Sequence, residues 1–111
     1  MSNPSGYRRT HTILSPQLSV TSGAPQRLSS SDLWVSSALI IAKYDNAGSI
    51  FLGTDSDTAL NTNGYGIYLP KKASFEIAFE HHRTIAGFTN LKDFWFDGTS
   101  TGDKLIVIYV T

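Results

Sequence analysis

The chain has 111 residues and no cysteine. That is the usual size of one domain and too short for two cores, and it excludes Cys-based zinc sites, redox motifs, thiol nucleophiles and disulfide-rich scaffolds. Nine Lys and Arg balance nine Asp and Glu, with no basic block beyond Arg8-Arg9 and Lys71-Lys72, so nucleic acid is not an expected partner.

Residues 1–16 are rich in Ser, Pro, Thr and Arg and show neither helical nor strand periodicity. They are expected to form an extended N-terminal arm that packs on the domain or on another copy. They do not lead into the apolar segment of a signal peptide, so synthesis as a soluble chain in the cytoplasm is expected. Residues 17–111 read as one all-β domain, an antiparallel β-sandwich or small barrel, because short apolar segments alternate with turn residues at the spacing of such folds.

Gln17–Thr21 and Gln26–Leu28 flank Ser22-Gly23-Ala24-Pro25, a hairpin or corner. Val35–Tyr44 is expected to be a strand. Upstream, Ser30 to Trp34 has a competing helical reading, since Ser-Ser-Asp before Leu33 would cap a turn. Asp45-Asn46-Ala47-Gly48 ends that strand, and Ser49–Leu52 begins the next. Asn63-Gly64 predicts a type I′ turn joining strands Thr58–Thr62 and Tyr65–Leu69, because both central positions of that turn take positive φ. After Pro70-Lys71-Lys72, residues Ala73, Phe75, Ile77 and Phe79 alternate with Ser74, Glu76, Ala78 and Glu80, so one face of this strand is buried. Leu39, Ile41 and alternate residues of Leu105–Val110 are expected to join that core. Glu80 to Thr89 carries no assignable period. Leu91–Phe96 is expected to be a strand ending at Asp97-Gly98. The final strand, Lys104–Thr111, is apolar from Leu105 to Val110, which suggests burial on both faces and is far too short to span a membrane.

Catalytic and metal chemistry find little support in these residues. His11 stands apart from His81-His82, and adjacent residues on a strand point to opposite faces, so no metal is expected. No Gly-x-Ser-x-Gly elbow is present. Asp55-Ser56-Asp57-Thr58-Ala59-Leu60-Asn61 begins like a calcium loop, but Leu60 stands where such a loop needs Gly, and Gly66 where it needs Glu. An enzyme is therefore not expected, and no cofactor is implied. Trp34, Trp95 and the tyrosines raise the alternative of a carbohydrate-binding module, since aromatic faces stack on sugar rings. Of the consecutive Phe94, Trp95 and Phe96, alternation leaves Trp95 as the one to meet a partner.

In order along the chain, the segments Val35–Ala42, Asn46–Gly53, Gly66–Pro70 with Ser74–Ile77, Leu91–Gly98 and Thr101–Tyr109 resemble the small β-sandwich virion proteins of tailed bacteriophages. The resemblance covers roughly residues 17–111 and departs from the family pattern at Glu80 to Asn90, where Phe79-Glu80-His81-His82-Arg83 is longer and more charged. It implies a virion structural protein, a capsid decoration or cement protein, or else a neck, collar or tail component. The implied partners are other virion proteins, major capsid or neck and tail proteins, and copies of the chain itself, as a trimer by family analogy alone. Tyr7, Arg8, Arg9, Ile13 and Leu14 of the arm, with Trp34 and Trp95, are the candidate partner contacts.

Overall fold

The computed structural model describes residues 13–64, 66–78 and 88–111. Its strands are β1 (Ile13–Leu14), β2 (Gln17–Ser19), β3 (Gln26–Arg27), β4 (Trp34–Val35), β5 (Ser37–Ala42), β6 (Ile50–Gly53), β7 (Ile67–Leu69), β8 (Ser74–Ala78), β9 (Thr89–Asn90), β10 (Trp95–Gly98) and β11 (Lys104–Val110), with one helical turn, α1 (Ser56–Ala59). Two antiparallel sheets and a small ribbon result. Sheet 1 runs β1-β11-β5-β8, with β2 following β1 along the same edge of β11. Sheet 2 runs β3-β10-β6-β7, and β4 pairs with β9. The fold is all-β and sandwich-like, as the turn spacing predicts.

Both sheets contribute to one core. Ala38, Ile40, Ala42, Ile77, Leu105, Val107 and Tyr109 of sheet 1 cluster with Ile50, Leu52, Leu69 and Phe96 of sheet 2. The alternation in β8 is as expected: Ile77 is buried, and Ala73 and Phe75 pack against the core. Phe79 lies outside the described residues. In β5 the expected face is reversed. Ile40 is fully buried between Ala38 and Ala42, whereas Leu39 and Ile41 are half-buried on the opposite face. Ser37–Ala42 is apolar on both faces after its first residue, so its own pattern cannot set a register. Pairing sets it: Ile40 lies opposite Val107 and Phe75, and Ala38 opposite Tyr109 and Ile77. Small residues on this central strand make room for the large ones beside them.

Three other expectations change. Thr58–Thr62 is not a strand, because Asp55 caps α1 by accepting from the Thr58 amide and hydroxyl, both at 2.7 Å. The following turn closes through the Asn63 amide and the Leu60 carbonyl. Gly64 has φ +70° but Asn63 does not have positive φ, so the type I′ geometry is absent. Leu91–Asp93 is a 3-10 turn capped by the Asn90 side chain, and β10 begins only at Trp95, running through the Asp97-Gly98 expected to end it. The Ser30–Trp34 stretch forms no helix, and Trp34 enters β4. Ser22 to Pro25 is a corner between the sheets, with Gly23 at φ +81°.

The last residues of the expected arm belong to sheet 1. Ile13 and Leu14 pair with Val110 and Tyr109, and the Pro16 carbonyl accepts from the Val107 amide at 3.0 Å.

Buried polar side chains fasten the loops. Asp97, 1% exposed, accepts from the amides of Gly23 at 3.0 Å and Asn61 at 2.8 Å. Asp103 accepts from Ala47 at 2.8 Å and Gly48 at 2.7 Å. The Asn46 side chain imitates a peptide group, donating to the Lys104 carbonyl at 2.9 Å and accepting from its amide at 2.8 Å. Each carboxylate satisfies two backbone donors that the loops would otherwise leave unpaired.

Candidate interaction surface

The face of sheet 1 turned away from the core is the most unusual surface of the described molecule. In an antiparallel sheet with one wet face, outward positions are ordinarily polar. Here the buried residues Leu105, Val107 and Tyr109 alternate with outward Lys104, Ile106, Ile108 and Val110. Ile106 stands opposite Ile41, and Ile108 opposite Leu39. Five branched aliphatics, Leu39, Ile41, Ile106, Ile108 and Val110, thus form a continuous half-buried apolar patch on neighbouring strands. Around it lie Gln17 and Ser19 opposite Ile106 and Lys104, and Ser74 and Glu76 opposite Ile41 and Leu39. A shallow groove of about 280 Å³ opens along it, lined by Ser37, Ala38, Leu39, Glu76, Ile108 and Val110. The unbroken apolar run of the last strand suggests burial on both faces, but only Leu105, Val107 and Tyr109 are buried; the other face is the patch, at the surface of the sheet.

The residues expected to contact partners are spread over different places. Tyr7, Arg8 and Arg9 lie outside the described residues. Ile13 and Leu14 are tied through their backbone to the edge of sheet 1. Trp34, 44% exposed, stands in the β4–β9 ribbon opposite Asn90. Trp95 is half-buried in β10, and the guanidinium of its cross-strand partner Arg27 lies 4.5 Å from the ring centroid. Arg27 also donates to the Lys92 carbonyl at 2.8 Å. One face of Trp95 is therefore already occupied by a cation, which leaves Trp34 as the freer ring. Exposed Ile67 and Tyr68 lie on β7, the edge of sheet 2, where Tyr68 packs at a tilt on Phe51.

The oxygen-rich segment at Asp55 is a helix cap. The bond from the Thr58 amide, then that from its hydroxyl, holds the Asp55 carboxyl below the usual aspartate value. Among the described residues no three His, Asp or Glu side chains converge as a metal site would require; His11, His81 and His82 lie outside them. Comparison with protein-family models, curated proteins and solved structures finds no match to the chain.

Proposed function

We propose that this all-β protein is a structural component of a virus particle, a capsid decoration or cement protein that assembles on the particle through apolar contact between chains. The observation that carries the reading is the outward face of sheet 1, where five aliphatic side chains stand in place of polar ones. An apolar patch on the outer face of a sheet supports a reading in which another chain covers it. The sequence likeness to small virion proteins of tailed bacteriophages supports the kind of assembly, and the balanced charge supports the kind of contact, since attachment has no net field to rely on.

The test is quantitative mass spectrometry of purified particles. Copies in the hundreds fit a capsid lattice, whereas a single ring's worth places the chain in a neck or tail. Apolar burial contributes roughly 25 cal/mol per Å² and is not screened by salt, while exposed charge pairs contribute little and are screened within about 8 Å at physiological salt. Occupancy should therefore be unchanged between low and moderate salt. Absence from particles, or release by moderate salt, refutes the reading.

A further inference from the structure

We infer that the outward face of sheet 1 is self-complementary and stacks on the same face of a second copy, the strands of the two sheets crossing at about 90°. The inference deepens the assembly reading by naming a surface through which copies meet.

The chemistry of the occupant follows from the patch. Leu39, Ile41, Ile106, Ile108 and Val110 offer only branched aliphatic contact, so what covers them must be apolar over the same extent. Residues 1–12, which precede β1 beside Val110, contain only Met1 and Tyr7 as large apolar side chains and suit that cover poorly. A second copy of the patch supplies a matching aliphatic surface.

The charges fix the orientation. Glu76 lies on the β8 flank, level with Leu39 and Ile108. Lys104 begins β11 at the end away from Val110 and reaches Ser19 Oγ at 3.0 Å. With strands about 4.8 Å apart and residues about 3.3 Å apart, Glu76 lies roughly 8 Å from the patch centre and Lys104 roughly 12 Å, in directions about 110° apart. A two-fold axis lying in the face and bisecting those directions runs at about 45° to the strands, so the two sheets cross near 90°, one of the two ways sheets pack. Each Glu76 then approaches the Lys104 of the other copy, making two opposite-charge pairs around an apolar centre. Any isologous contact repeats each pair in this way.

The size predicts the strength. Four strands by seven residues cover roughly 19 by 23 Å, so the pair buries on the order of 900 Å² in plan, in the range of weak and transient interfaces. The contact becomes lasting where copies are held close together, as on a particle.

Sedimentation equilibrium of the full chain from about 1 to 300 μM tests this; a monomer–dimer equilibrium in the micromolar range is expected for an interface of this size. Ile108→Lys should abolish the dimer, and the milder Leu39→Thr should weaken it, with circular dichroism and melting showing both variants folded. Glu76→Lys and Lys104→Glu should each weaken the dimer about tenfold at low salt, and the two combined should restore it. A monomer throughout, a trimer, a dimer indifferent to Ile108→Lys and Leu39→Thr, or a combined variant no tighter than the single ones overturns the proposal. Particle copy number is read separately: a chain present on particles yet monomeric by sedimentation removes this interface and leaves the assembly reading standing.

Discussion

Replacing Ile40 with Ala tests the register on which both the core and the outward patch depend. Ile40 is fully buried in β5, opposite Val107 and Phe75. The substitution removes three carbons, worth roughly 0.8 kcal/mol each by transfer, and leaves a cavity in a core ringed by other strands. The expected cost is about 2.5 to 4 kcal/mol. With an unfolding entropy of about 2.1 cal/mol/K per residue, this lowers the melting temperature by about 10 to 17 °C. Leu39→Ala, one residue away on the half-buried outer face, should cost about 1 kcal/mol when measured in dilute solution, where no second copy covers it. Urea and thermal denaturation followed by circular dichroism give both numbers. If Leu39→Ala costs as much as Ile40→Ala or more, β5 sits with its other face inward and the patch does not exist as described.

Other expectations follow from the fastening residues and turns. Asp97→Ala leaves the Gly23 and Asn61 amides without their acceptor and should cost about 3 to 5 kcal/mol; a loss below about 1 kcal/mol in urea unfolding would show that water replaces the carboxylate readily. Lys72, with φ 74° in the turn before β8, is the one described non-glycine residue with positive φ. Lys72→Gly should therefore be neutral or stabilising by up to about 1 kcal/mol, and Lys72→Val destabilising by a similar amount, with the opposite ordering of melting temperatures refuting the strain. Because the Asp55 carboxyl is held below its ordinary value, the stability it lends α1 is present above that value and is lost as pH falls through the lower folded one. The Thr58 amide resonance should report this as an acid titration that Asp55→Asn abolishes; its survival in that variant would assign it to another group.

Residues whose pattern carries a period disclose their place in the sequence. Ala73, Phe75 and Ile77 alternate with polar partners, so the inward face of β8 is readable from the order of its residues alone. β5 offers no such contrast after Ser37, and its register comes from long-range pairing with β11 and β8. The Asn63-Gly64 signal is outweighed by a nearer one, the Asp55 cap, whose bonds to Thr58 wind the chain into α1. Asp97-Gly98 resembles a turn by composition but lies within β10, because Asp97 directs its carboxylate at two loop amides. The candidate surface is poorly legible: the apolar run of β11 reads as buried on both faces, and only the pairing of Ile106 with Ile41 and Ile108 with Leu39 shows a continuous apolar outer face. Alternation leaves Trp95 free for a partner, but its cation neighbour Arg27 arrives from β3, a distance along the chain that alternation does not reveal.

The position of β11 also governs how the chain reaches this state. It is the last strand described and yet the centre of sheet 1, flanked by β1 and β2 on one side and β5 on the other. Its Lys104 pairs with Ser19, a separation of 85 residues. Until β11 arrives, β1 and β2 have no strand to join and β5 keeps one edge open, so sheet 1 closes in a late step with a large loop entropy to overcome. Folding is accordingly expected to take milliseconds to seconds rather than microseconds. A growing chain would hold one edge of the apolar β5 open until β11 is made, and truncation before Lys104 would leave β1 and β2 without a partner strand.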